Sequence, residues 1–305
     1  MAAAGEASSI QPLLRAGEAG IPRSVRIART ARGQPLATAS LFVLVLLCLM
    51  AIFAPMLAPH DPLRIFPGQQ LLGPNSTFPL GTDETGRDVL SRIIYGARIS
   101  LEVGFVSVGI GTGIGAIVGI VSGYFGGLLD LCVQRVVDAF QTIPALILIL
   151  ALVSIYGESL FLIFLAIGIA IGPGTSRVVR SAVLSVKENS YIEAARATGA
   201  PTPRILFVHI LPNVSAPIIV LASVWLGNAI LIEASLSFLG IGGSPSQPDW
   251  GAMLSRTGRQ FLEQAPWLAI APGVAISLTV LAFNLFGDGL RDVLDPRLRG
   301  RTARI

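Results

Sequence analysis

Charge is the first thing this sequence lacks. Only 13% of its 305 residues are Asp, Glu, Lys or Arg, against 52% hydrophobic residues and a mean hydropathy of +0.72. A soluble domain is about one-quarter charged, because its surface must meet water. That class is excluded, and the chain reads as a protein that crosses a membrane several times. Cysteine is almost missing as well. Cys48 falls inside an apolar run and Cys132 near the end of another, so no disulfide framework exists. The two histidines, His60 and His209, lie on different segments without ligand spacing, which leaves no metal centre. There is one lysine, Lys187, and it follows Val186. No Gly-x-x-x-x-Gly-Lys-Ser/Thr loop is present, so the chain has no P-loop for ATP. Neither His-Glu-x-x-His nor Gly-x-Ser-x-Gly occurs, which removes the common hydrolase signatures. The net charge of +4 sits in loops and tails rather than in a stripe, and nucleic acid is not an implied partner.

What is present is length of apolar chain. Six stretches, near 36–58, 100–122, 132–156, 159–179, 214–240 and 267–289, reach the roughly 20 residues that a crossing helix needs. The expected fold is an all-α membrane protein with six transmembrane helices. The first stretch is read as an anchor, since a signal peptide with a 35-residue leader would be anomalous. Positive charge marks the cytoplasmic side. With the N-terminus inside, sixteen Lys and Arg residues face the cytoplasm and six face outward. Both termini are therefore expected in the cytoplasm. The organisation follows: a cytoplasmic tail at 1–35, the first helix at 36–58, an outer loop at 59–99, a five-helix core at 100–289 and a basic tail at 290–305.

Within that frame the polar residues stand out. In the outer loop, Val89, Leu90, Ile93, Ile94 and Ala97 share one helical face, and Arg87, Ser91, Arg92 and Tyr95 the other. An amphipathic helix over 83–98 is expected to lead into the second span. The second outer loop, 241–266, is rich in Gly and Pro, with Trp250 expected to be exposed or interfacial. Asp88, Arg92, Asp249 and Trp250 are candidates for docking an external partner; an interfacial anchor explains Trp250 equally well. In the second span Gly111, Gly115, Gly119 and Gly123 recur every four residues, a strip without side chains along which another helix can pack. The third span carries Arg135, Asp138 and Gln141, which form either an internal Arg135–Asp138 pair or the lining of a polar pathway. The fifth holds Asn228 and Glu233, then Ser235 and Ser237. A carboxylate there must be paired or must face water. Asn228, Glu233, Ser237 and Asp138 are the pathway or gate candidates.

One polar segment separates the fourth and fifth spans: "YIEAARATGAPTPRILFVHILPN", residues 191–213. Ser190 and Glu193 have capping-box spacing. Tyr191, Ala194, Ala195 and Thr198 form a thin stripe. Gly199 is placed to end the helix in a left-handed cap, and Pro201 stops it resuming. Thr202 is expected to cap a second helix that Pro212 closes. A short cytoplasmic helix–turn–helix results, with a small-residue face open to another protein's groove.

Here the chain resembles a known family. Glu193, Ala194, Ala195, Gly199, Leu211 and Pro212 match the EAA loop of inner-membrane subunits of bacterial ABC importers. His209 stands where the wider family often has isoleucine. "HILPN" (209–213), "LGTDETGRDVLSRIIYGARISL" (80–101), "EASLSFLGIG" (233–242), "PDWGAML" (248–254) and "GDGLRDVLDPRLR" (287–299) are similar to the dipeptide, oligopeptide and nickel branch, specifically its C-type permease. The resemblance runs from about residue 35 to 299. It implies a type I importer fold in the bacterial inner membrane. It implies a second permease, two ATPase subunits or domains and an extracytoplasmic binding protein as partners. ATP and Mg would be bound by the ATPases, with no cofactor in this chain. Tyr191, Glu193, Ala194, Ala195, Arg196, Gly199, Leu211 and Pro212 would couple to the ATPase. Peptides are the implied cargo, with nickel chelates or another small solute as the alternative. An ion-coupled secondary transporter is the remaining class, but no inverted repeat supports it.

Overall fold

The computed structural model describes residues 34–157, 159–242, 247–255 and 261–294. Most of the two expected tails, residues 1–33 and 295–305, and the outward arginines Arg256 and Arg259 lie outside the described residues. Helix α1 spans Pro35–Ile52 and a short α2 spans Ala54–Leu57. After the outer loop come α3, Val89–Phe125, then α4, Gly127–Thr142, and α5, Ala145–Tyr156. Helix α6 covers Leu160–Lys187 and α7 Ser190–Ala197. One turn, α8 at Thr202–Arg204, leads through a π-helical turn at Ile205–Ile210 into α9, Leu211–Phe238. A short helix α10 is Trp250–Ser255, and α11 is Trp267–Leu294.

Two expected boundaries change. The helix before the second span is not a separate surface helix. It is the first three turns of α3, 37 residues without a break. Half of its polar face is buried, Ser91 and Arg92 as fully as Ile93 and Ile94, while Arg87 and Tyr95 are half-buried. The third span is not one helix either. It bends by 88° between α4 and α5. Pro144 has no N–H to donate and pushes Ile143 into the extended conformation, at ψ 123°, so the helix cannot run through.

The glycine strip explains why six crossings remain despite that break. A Cβ at Gly111 would stand 2.6 Å from the Gly168 carbonyl oxygen, and one at Gly115 2.5 Å from that of Gly172. Gly119 would meet Ser176 O at 2.5 Å and Gly123 would meet Arg180 O at 3.1 Å. Both members advance by four residues at each step, so α3 and α6 run parallel, backbone against backbone. Two parallel neighbours in a membrane require the chain between them to cross back. α4 and α5 do so as a bent pair. Asp130 on α4 pairs with Arg180 at one end of α6, and Ile149 and Val153 on α5 pack with Ile163 and Ile167 at the other.

The seam gives a test within one helix. Gly115→Ala forces a methyl against backbone and should destabilise by about 1–3 kcal/mol. Gly113 has nothing within 4 Å of its would-be Cβ, so Gly113→Ala should be neutral or stabilise by up to about 1 kcal/mol. Thermal unfolding of the detergent-solubilised chain separates them. Equal midpoints for the two variants would remove the seam as a source of stability.

Candidate functional site

Polar residues concentrate at two ends of the bundle. At the end holding residues 190–213, α7 lies where the stripe placed it, and Gly199 takes the left-handed conformation at φ 76°. Its cap differs from expectation. Asn189 is the N-cap, Ser190 is the first helical residue, and the cap side chain makes no bond to the helix. The capping box is therefore not formed, and Glu193 is exposed on the first turn. Likewise Pro201, not Thr202, precedes the second helix.

Pro212 does not close that helix. In the π-helical turn the Leu211 N–H bonds the Leu206 carbonyl, five residues back. The wider turn relieves the clash that Pro212's ring would make with a carbonyl four residues earlier. The helix then continues into α9. The run from Thr202 to Phe238 is one rod of 37 residues.

Burial sorts the eight coupling candidates. Ile192, which the stripe omitted, is fully buried with Val179, Val183, Ile205, Ile210 and Val214. It is the anchor of α7. Ala195 packs against that same cluster, so it faces the chain's own core. Tyr191, Glu193, Ala194, Arg196, Gly199 and Pro212 are exposed, and Leu211 is half-buried. The Arg196 guanidinium sits over the Tyr124 ring at 5.1 Å, and the Tyr191 and His209 rings are 6.4 Å apart. Those contacts tie α7 to α3 and to the π-helical turn. A ready-made surface of small and polar groups faces away from the bundle.

At the other end the docking candidates are corrected. Asp88, Arg92, Asp249 and Trp250 are all buried, Trp250 completely. They build a platform rather than a contact surface. Asp88 caps α3, its carboxylate accepting from the Ser91 N–H at 3.1 Å, with His60 Nδ1 3.3 Å away. Asp83 accepts the Thr85 and Arg87 N–H groups, each at 2.8 Å, and lies 3.8 Å from Arg92 Nε. The indole of Trp250 donates to the Ile93 carbonyl at 2.9 Å. It fits because two positions lack side chains: a Cβ at Gly96 would meet the indole at 2.6 Å, and one at Gly251 would meet the Ala234 carbonyl at 2.5 Å. Sequence reasoning missed Asp83, Gly96 and Gly251. The Asp-x-Thr-Gly run at 83–86 was the available sign of a side-chain-capped turn.

The pathway candidates do not converge. Glu233 and Ser237 are buried at the C-terminal end of α9 beside Asp249. Ser235 bonds the Leu231 carbonyl on another face. Asn228 is half-buried and donates to its own helix at Val224 O, 3.1 Å. Asp138 is on α4, near the bend of the third span. Arg135 is 3.8 Å away as the internal pair requires, but Arg177 of α6 makes the closer contact.

The described helices form the transmembrane fold of a type I ABC importer. An inward-facing structure of the MetNI methionine ABC transporter shares it, with TM-score 0.55 at 23% identity over 68% of this chain and 97% of that one. The chain belongs to the family of binding-protein-dependent transport system inner membrane components, whose sequence pattern matches residues 115–300. Residues 25–74 match the N-terminal TM domain of oligopeptide transport permease C. A dipeptide transport system permease protein of Alkalihalophilus pseudofirmus is 44% identical over 87% of this chain and 86% of its own length. The Haemophilus influenzae dipeptide permease is 43% identical over 85% and 90%. A glutathione transport system permease protein of Pectobacterium atrosepticum is 45% identical over 86% of each. The chain is thus a multi-pass permease, the transport component of an ABC importer.

The platform makes a stability prediction. Trp250→Ala should cost about 3–5 kcal/mol through the cavity it leaves. Trp250→Phe keeps most of the ring, loses the bond to Ile93 and should cost about 1 kcal/mol. Thermal midpoints of the purified chain rank the two; equal losses would mean that packing contributes little there.

Proposed function

We propose that this chain forms half of the translocation pathway of an ATP-driven importer that takes up dipeptides and oligopeptides. A second, homologous permease supplies the other half. An extracytoplasmic binding protein delivers the cargo, and two ATPase subunits or domains bind ATP and Mg. The cargo reading rests on relatives above 40% identity along nearly their whole length that carry dipeptides or glutathione. The chain itself binds no cofactor and performs no chemistry. Its work is to pass between two arrangements that ATP binding elsewhere biases.

The observation that supports coupling through α7 is its geometry. Ile192 roots the helix in the bundle, while Glu193 and Ala194 are exposed on the outside, beside the exposed but ring-contacting Tyr191 and Arg196. A groove on the ATPase that receives this helix can therefore push the bundle through Ile192. Ala194→Trp should leave the thermal midpoint of the chain unchanged and weaken ATPase copurification at least about tenfold, which corresponds to 1.4 kcal/mol. Ala195→Trp should instead lower the midpoint, because it is driven into the Ile192 cluster. Full ATPase retention and full dipeptide uptake by Ala194→Trp in reconstituted vesicles would end the coupling reading.

Orientation follows from the charge count: α7 and both termini in the cytoplasm, the 59–88 loop outside. In a background lacking Cys48 and Cys132, Ser76→Cys in right-side-out vesicles should react with an impermeant thiol reagent. Ser190→Cys should react only after permeabilisation. Both positions are exposed in the structure, so burial does not confuse the result. Reversed labelling would invert the topology.

A further inference from the structure

The outer end of α9 presents two buried carboxyl groups bridged by one hydroxyl. Glu233 and Asp249 are each 4% exposed, and Ser237 2%. The Ser237 Oγ lies 2.9 Å from Glu233 Oε1 and is also within hydrogen-bond reach of Asp249 Oδ2. A serine hydroxyl carries a single proton, and ionised carboxylates only accept. One hydroxyl cannot donate to both, so two ionised carboxylates leave one of these contacts without a proton. Asp249 has the better provision for a negative charge. Its Oδ1 accepts the Gly251 N–H at 2.8 Å, and Arg92 faces it from α3. Glu233 has none: its Oε2 is buried without a partner. An ionised group left so would be severely penalised.

We propose that Glu233 binds a proton, and that this proton holds the outer helix α10 against the bundle. Glu233 donates from Oε1 to Ser237 Oγ, and Ser237 donates to the Asp249 carboxylate. The chain of two bonds joins α9 to the residue directly before α10. Opening of this contact releases Glu233 to water, where it gives up its proton; closing takes one back. No other reactant is needed.

Among the described residues, the surrounding charges are few. Arg92 on α3 interacts electrostatically with Asp249, and with Asp83, Glu84 and Arg87 of the preceding loop. Further along α3, Arg98 is held by the Ala51 and Ile52 carbonyls and Glu102 is exposed. On α11, Asp288, Arg291 and Asp292 lie at the opposite end of the helix. Loss of the Glu233 proton therefore sets two buried carboxylates against each other. The contact weakens as external pH rises.

The proposal is independent of the cargo but rests on the outward orientation of the 59–88 loop. Met253 on α10 is buried in the closed arrangement and serves as the reporter. In the complete importer lacking native cysteines, the rate at which an external thiol reagent labels Met253→Cys, divided by that for Ser76→Cys to cancel the thiol's own ionisation, should rise by up to about tenfold per pH unit across the Glu233 titration. Adding Glu233→Gln, a neutral donor, should keep labelling slow at every pH. Adding Ser237→Ala should make it fast at every pH. Infrared spectroscopy should show a carboxylic-acid carbonyl band that Glu233→Gln removes and Asp249→Asn retains. Identical pH profiles with and without Glu233→Gln, or a band lost only in Asp249→Asn, would overturn the assignment. Ser76→Cys is the control: its failure to label would refute the orientation, not the proton site.

Discussion

Two helices of this molecule pack backbone against backbone. Along α3 and α6 the carbonyl oxygens of one helix occupy the space where side chains of the other would begin. Apolar side chains gain little by leaving lipid for protein, so helix association in a membrane relies on close contact of this kind. The seam fixes the direction of both helices, and that direction obliges the intervening chain to return across the bilayer. The return is imperfect, broken at Pro144, yet it is pinned at one end by the Asp130–Arg180 pair. Lys187 donates to the Gly123 carbonyl at 2.9 Å, closing the last turn of the same seam.

Much of this was legible because a membrane simplifies the code. Long apolar runs can only be helices there, so six crossings were readable from length alone. The four-residue glycine spacing announced a seam, though not its partner, since Gly168 and Gly172 carry no separate signal. Gly199 was readable because a left-handed cap has a narrow residue preference. What failed were features decided by packing between distant segments. Trp250 was read as surface because its neighbours are loop-like, but Gly96, 154 residues earlier, opens the slot that buries it. The coupling stripe included Ala195 and passed over Ile192, because a short helix with few apolar positions does not say which side is inside. Pro212 was read as a terminator on local grounds, and only the π-helical turn makes it passable.

The two polar ends are built differently. At the α7 end one isoleucine roots an exposed helix, leaving a surface of small groups for a partner. At the opposite end the polar groups are turned inward: Asp83 bonds the backbone of its own turn, Asp88 bonds Ser91 and Trp250 bonds Ile93, while Glu233 Oε2 keeps no partner. The first arrangement leaves a helix face exposed; the second ties the loops at the opposite end to the bundle.

Between these ends runs a single rod. Thr202–Phe238 is about 55 Å long at the rise of an α-helix, nearly twice the thickness of a bilayer core. One end begins three residues after the Gly199 cap, and the other carries Glu233 and Ser237. Such a member behaves as a beam. If its middle is clamped by α3 and α11, a tilt of about 5° swings the two tips in opposite senses by about 2 Å each. Force applied at one face of the membrane then becomes motion at the other without any residue in between changing its shape.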